Sequence, residues 1–271
     1  MIHHLLGNMH NTELWASYLP RIPKTLALLA VAGVLLIAVS VAGLIGLPAL
    51  MIGGVAVGGL LALPALAAGI FAVAKWRYGL SRRRQILDKV AWRGDETVLD
   101  VGCGSGMLLN GAAKRLRSGK ATGIDIWAHS GGGGNLALLM SSARAEGVAD
   151  RIEFKEADAR EMPFTDAMFD VVISSGALHH ISHSQEDFEK AVREMARVVK
   201  PGGQILIWDV AHMIDATAGR LGDFGVACET EAAGTYLGFE MRLLSGMKAD
   251  SAQPDKAHSA QAADHVFVSY H

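Results

Sequence analysis

The sequence predicts an α/β domain with a doubly wound, mostly parallel sheet, preceded by two apolar helices long enough to cross a membrane. Three observations carry that expectation. An apolar strand at 97–101 runs into alternating glycines and then an apolar-periodic segment at 107–116. That is the pattern of strand, tight turn and helix N-terminus, with backbone N–H groups left open to a ligand. Strand-like and helix-like segments then alternate to residue 209, which implies parallel strands covered on both faces. Ahead of them, residues 25–74 form a run of 50 positions without a single Asp, Glu, Lys or Arg.

Length and composition bound the reading. A chain of 271 residues holds one domain of ordinary size and an additional segment. Its formal net charge of −2 gives no global bias toward nucleic acid. Mean hydropathy is +0.27, and the apolar excess is concentrated at the N-terminal end. The two cysteines, Cys103 and Cys228, supply neither a disulfide framework nor a zinc cluster. No metal site is expected, and a reduced, intracellular setting fits.

The uncharged run is long enough for two spans, because one needs about 20 apolar residues. Gly46, Leu47 and Pro48 are its one plausible break, giving helices at 26–45 and 49–74. Gly53, Gly54, Gly58 and Gly59 would let the two approach closely in a hairpin. Arg21 and Lys24 precede the run, and Lys75, Arg77, Arg82, Arg83 and Arg84 follow it. Basic flanks at both ends place both ends in the cytoplasm. A cleaved signal peptide is the rival reading, but its apolar core is only about 7–15 residues. The expected order is a cytoplasmic segment at 1–24, the hairpin at 25–74 and a basic juxtamembrane linker and helix at 75–93. A catalytic domain at 94–248 and a polar tail at 249–271 complete the chain.

Within that domain, strands are expected at 97–101, 121–126, 151–156, 169–174 and 204–209, with a last one at 239–245. Helices are expected at 81–91, 107–116, 136–146, 184–199 and 213–221, the fourth capped by Ser184. Asp125 ends the second strand, 25 residues past Asp100, near the distance at which α/β nucleotide folds place a carboxylate on ribose hydroxyls. A solvated strand-end aspartate is the plainer alternative. Gly131 to Gly134 form a glycine run that is either a mobile loop near the site or a linker.

The ordered motifs are specific together. Val98 to Gly106 reads G-x-G-x-G with an acid two residues ahead, not the dinucleotide G-x-G-x-x-G. With Gly123-Ile124-Asp125, Glu156-Ala157-Asp158-Ala159, Met162-Pro163-Phe164, Phe169-Asp170-Val171-Val172, Ala177-Leu178-His179-His180 and Lys200-Pro201-Gly202-Gly203, it resembles the class I S-adenosylmethionine (SAM)-dependent methyltransferases. The resemblance covers about half the chain and lies closest to the small-molecule branch that includes ubiquinone and menaquinone methyltransferases. It implies a Rossmann-like sheet and a role for each matching residue. Gly102, Gly104 and Gly106 would pass the methionyl part of SAM, with Asp100 close to its amino group. Asp125 would take the ribose hydroxyls and Ile126 would lie against adenine. Asp158 would accept from the adenine amino group, the Ala159 N–H would meet a ring nitrogen, and Ser174 would sit beside the methionyl group.

Methyl transfer from a sulfonium has a very good leaving group, so alignment and desolvation carry much of it. A base is needed only where the acceptor atom carries a proton. His179 and His180 follow the fourth strand at the edge where open α/β sheets bind ligands, and either could serve. The bland reading is that one ring packs and the other is hydrogen-bonded. Residues 174–177 lack the proline- and aromatic-rich motif of enzymes that methylate DNA bases, and no basic stripe with interleaved aromatics marks a nucleic-acid groove. Two scattered cysteines do not hold arsenite. What remains is a small, apolar molecule; with the membrane anchor, the expected acceptor is a small molecule or a lipid-like one. The competing classes are a non-catalytic SAM-binding module and an NAD-dependent oxidoreductase. The glycine spacing disfavours the latter.

Overall fold

In the computed structural model the described residues are 32–35, 48–127, 136–182 and 184–250. The chain divides into two compact units, Met1–Ser81 and Arg82–His271. In the first, residues 32–35 are helical and a 40-residue helix α1, Pro48–Leu87, begins. The helices expected at 49–74 and 81–91 are therefore one: the basic residues between them continue the helical backbone instead of breaking it. The helix expected at 26–45 lies outside the described residues apart from 32–35. Of the described apolar side chains in this unit, Leu60, Leu63, Leu66, Ile70 and Phe71 are all exposed. Among residues whose side chains are described, no helical segment is long and apolar enough to cross a membrane. Most of the run at 25–74 falls outside them.

The second unit is a seven-stranded sheet. Its strands are β1 Thr97–Val101, β2 Lys120–Asp125, β3 Ile152–Glu156, β4 Phe169–Ser175, β5 Val199–Val210, β6 Val226–Tyr236 and β7 Phe239–Lys248, in the spatial order β3-β2-β1-β4-β5-β7-β6. The first five are parallel and β7 runs antiparallel to both β5 and β6. The helices are α2 Met107–Ala113, α3 Leu136–Ala145, the one-turn α4 Leu178–Ile181, α5 Gln185–Val198 and α6 Ala211–Asp223. This is the expected doubly wound, mostly parallel sheet.

Alternation decides which face each strand residue serves. Leu99, Val101, Val172, Ile205 and Ile207 join Phe188, Val192 and Met195 of α5 and Ile214 and Leu221 of α6 in one core cluster. Residues of opposite parity face α2, where a Cβ on Gly123 would lie 2.8 Å from Leu109. Ser184 caps α5 as expected, its hydroxyl accepting from the Asp187 N–H at 3.1 Å. Two elements depart from expectation. β5 begins at Val199, so Lys200 to Gly203 belong to the strand, with the ladder irregular between Phe169 and Val171. β6 was not expected at all: it is an edge strand exposed on both faces over much of its length, so it carries no apolar alternation to read.

The end of α1 belongs to this second unit and is pinned to it. Ile86 and Leu87 are fully buried. Arg83 pairs with Glu146 at 2.9 Å, and Lys114 pairs with the same carboxylate at 2.7 Å. The Glu146 side chain is 2% exposed and also accepts from Asn110 Nδ2. Arg83→Met should leave Glu146 short of one buried charge partner with Lys114 still present, lowering stability by about 1–3 kcal/mol. A thermal unfolding midpoint unchanged in that variant would show the pair to be decorative.

Candidate active site

The C-terminal ends of β1, β2, β4 and β5 converge on one edge of the sheet, where open α/β folds bind ligands. At the end of β1 the chain must turn tightly into α2. The Gly102 and Cys103 N–H groups both donate to the Ile124 carbonyl, at 2.9 and 3.0 Å, folding the loop back onto β2. Gly102 has φ +72°, and a Cβ there would sit 2.3 Å from the Ala177 Cβ. Gly104, at φ +52°, has none of the described residues within 4 Å of such a Cβ. The first glycine lets two backbone segments meet; the second leaves an open cradle.

Asp125 ties this loop down. Its Oδ2 accepts from the Gly104 N–H at 2.8 Å and its Oδ1 from the Trp127 N–H at 2.8 Å. Each oxygen keeps a further lone pair for a hydroxyl. Trp127 sits in the left-handed region at φ +41°, and its indole reaches back to the Gly104 carbonyl at 3.3 Å. Ile126 is 41% exposed beside it. Asp100 lies beneath the loop, only 1% exposed, with Oδ2 lacking a hydrogen-bond partner among the described residues. Burial raises its pKa to about 8; the Leu109 N–H and Arg82 pull it down and the charge of Asp125 pushes it up. An open cradle, an orphaned buried carboxyl oxygen and a second carboxylate with free lone pairs fit a ligand that carries an ammonium and a ribose.

The other expected residues are placed with differing success. Asp158 is at the right edge, after β3, but its carboxylate is gripped by Arg160, whose Nη2 donates at 2.6 Å. That hydrogen bond, which outweighs the opposing burial, holds its pKa below the usual carboxylate range. Arg160 also bridges to Asp187 at 2.9 Å. The resulting charged cleft of about 520 Å³ is lined by Asp158, Arg160, Lys190 and Arg193, and it meets the site at Asp158. Ala159 is buried. Ser174 is fully buried, and its hydroxyl donates to the Val101 carbonyl at 2.9 Å, tying β4 to β1 rather than facing the edge.

His179 and His180 follow α4's first residue, with their rings 4.0 Å apart. His179 Nδ1 lies 2.6 Å from Asp209 Oδ1, and the His179 side chain is 35% exposed while Asp209 is buried. Asp209 also accepts from the Leu178 and Val210 N–H groups, at 3.0 and 2.8 Å. A carboxylate so placed is an acceptor only, so Nδ1 carries the proton and Nε2 keeps its lone pair. Burial works to lower the imidazole pKa, but the hydrogen bond and charge of Asp209 overcome it and raise it. Two residues that the sequence reading had not assigned to the site also belong here. Asp209 had been taken only as a strand end. Arg82 is one of the basic residues flanking the uncharged run, yet its guanidinium lies 4.7 Å from the centre of the Trp208 ring at the same edge. The expected Gly131 to Gly134 loop and the tail at 251–271 lie outside the described residues.

With that geometry in hand, likeness to known proteins is informative. Residues 99–207 match the methyltransferase domain family. A ubiquinone/menaquinone biosynthesis C-methyltransferase of Idiomarina loihiensis is 31% identical over 153 residues, 54% of this chain and 56% of that protein. The methyltransferase GfsG of Streptomyces halstedii is 31% identical over 132 residues, 49% of this chain and 44% of that one. The chain thus spans about half the length of these curated relatives. Among solved structures, the [4+2]-cyclase SpnF shares the fold at a TM-score of 0.53 and 18% identity, over 63% of this chain and 81% of that one. Over residues 99–207 the chain is therefore similar to a methyltransferase domain. The cofactor of that domain is S-adenosylmethionine.

The His179–Asp209 pair makes a direct prediction. Asp209→Asn removes the charge that raises the imidazole pKa and leaves the burial that lowers it, so His179 should titrate at lower pH than in the native protein. Following the ring Cε1 proton by NMR across pH 5–9 measures this. An unmoved midpoint would mean that the two side chains are not coupled in solution.

Proposed function

We propose that the protein is a membrane-anchored SAM-dependent methyltransferase, facing the cytoplasm, that acts on a small lipophilic acceptor. The observation that carries the enzymatic reading is the set of groups on one sheet edge: the glycine cradle, Asp125 and Asp100 on one side, and the His179–Asp209 pair on the other. When bound there, the cofactor supplies an electrophilic methyl group on a good leaving group. The chain's own part is to bind, align and exclude water. Gly104 gives backbone access and Asp125 offers two oxygens to the ribose. Asp100 supplies a negative partner for the ammonium. Asp158, with the Ala159 N–H, is assigned to adenine, which requires it to share its carboxylate with Arg160. Ile126 offers an exposed apolar surface for the base. Ser174 acts at one remove, by holding β4 against β1.

For an acceptor that must lose a proton, His179 is the base. Asp209 fixes the tautomer and stabilises the charged ring, and Nε2 takes the proton. The His180 ring lies against that of His179, with centroids 4.0 Å apart and the planes tilted by 44°. The names of the relatives support a small-molecule acceptor, and the anchor supports one that partitions into lipid. An anchored site meets such a substrate at its high local concentration and gains little for a soluble one. Support for the anchor comes from the uncharged run at 25–74, its basic flanks and the exposed apolar side chains of α1.

Two measurements test this. Asp125→Ala should weaken SAM binding at least tenfold, since two hydrogen bonds to a charged group are lost at about 1.5–3 kcal/mol each. Titration of the full chain with SAM, alongside release of S-adenosylhomocysteine with a lipid extract supplied, reads both affinity and turnover. Tight NADH binding without SAM binding would overturn the cofactor assignment. Separately, reporters fused at residue 12 and at residue 271 should both register the cytoplasm. A signal from the opposite side at either end would refute the hairpin.

A further inference from the structure

Asp100 occupies the middle of the sheet, opposite Gly123 on β2 and Ile173 on β4. A carboxylate in that position is expensive unless other groups supply the solvation it has lost. The groups that face it are few. From α2 comes the Leu109 N–H, from α1 the Arg82 guanidinium, from β2 the Asp125 carboxylate and from the loop the Cys103 thiol. The thiol is no source of positive charge, and burial together with the two neighbouring carboxyls keeps it protonated. β4 contributes no donor, since the Ser174 hydroxyl is committed to the Val101 carbonyl. Among the described residues, Asp100 Oδ2 has no hydrogen-bond partner. Asp125, by contrast, has two N–H donors on its oxygens. Two acids lie near one cradle, and only one of them is provided for.

We propose that Asp100 holds a proton while the cradle is empty and releases it when the cofactor's ammonium group arrives. The inference rests on the cofactor reading above and adds to it a proton that leaves as the ligand enters. The ammonium need not touch the carboxyl. A positive charge within about 4–6 Å favours ionisation of a buried acid by about 1–3 pKa units. From a starting value of about 8, that moves Asp100 at pH 7 from mostly neutral to between half and almost fully ionised. The proton goes to solvent, and the buried pair of opposite charges replaces a neutral acid. Two consequences follow from the sign. Binding must strengthen as pH rises from 6 toward 7.5, because in that range the free site carries a proton that the loaded site lacks, and weaken again where the ligand's own α-ammonium loses its proton. Selectivity for ligands that bear the ammonium must rest more on Asp100 than on Asp125.

The test is calorimetric and needs no acceptor. The full chain is titrated with SAM at pH 7 in two buffers of different ionisation enthalpy, which gives the number of protons released per ligand bound. Release of about 0.4–0.9 of a proton is expected, with affinity rising as pH goes from 6 to 7.5. S-adenosylhomocysteine, which keeps the ammonium, should release a similar amount, and methylthioadenosine, which lacks it, close to none. Asp100→Asn should bind with no proton release and a flat pH profile, while Cys103→Ala should keep the release. Should the Asn variant fail to fold, the ligand series on the native chain still decides. Binding of SAM without proton release overturns the proposal alone. So does equal release by methylthioadenosine, or release that survives Asp100→Asn and disappears in His179→Gln. An absence of SAM binding at every pH overturns the cofactor reading, and the proposal with it.

Discussion

The site depends on one carboxylate's two hydrogen bonds to backbone. Asp125 accepts from Gly104 on the glycine loop and from Trp127 beyond its own strand. Without that tie, a loop holding three glycines at positive φ would have little to fix its path, since glycine loses more conformational freedom on ordering than any other residue. The same two bonds hold the acid ready for a ligand. Architecture and chemistry share one side chain, and the unused lone pairs are what remains for function.

Much of this was legible in the sequence because the informative contacts are local or periodic. Five parallel strands, α5 and its Ser184 cap follow from alternation, 3.6-residue spacing and a capping side chain near its helix. Asp125 was legible because the end of a second strand is a fixed station in a doubly wound sheet. Asp209 was not, since its meaning comes from His179, 30 residues away, and nothing at residue 209 announces the partner. Arg82 was hidden by its neighbours: within a basic cluster, the one guanidinium that turns toward Trp208 looks like the rest. β6 escaped for the opposite reason, because a strand exposed on both faces has no pattern to display.

A family position says which edge a residue occupies, not which way its polar atoms point. Ser174 reaches that edge and turns its hydroxyl onto a neighbouring strand. Asp158 reaches it with a guanidinium already in place, so any ligand there must compete with or share an ion pair.

Gly102 touches more than its own loop. Its backbone lies so close to Ala177 that a Cβ would approach to 2.3 Å. Ala177 leads directly into Leu178, whose N–H holds Asp209, and into His179, which Asp209 orients. The half of the site that would receive the methyl donor and the half that would prepare the acceptor are therefore in van der Waals contact at a single pair of small residues. Neither half can drift in sequence on its own. A larger residue at either position would be felt by both substrates at once, so natural variation at these two positions should be jointly constrained.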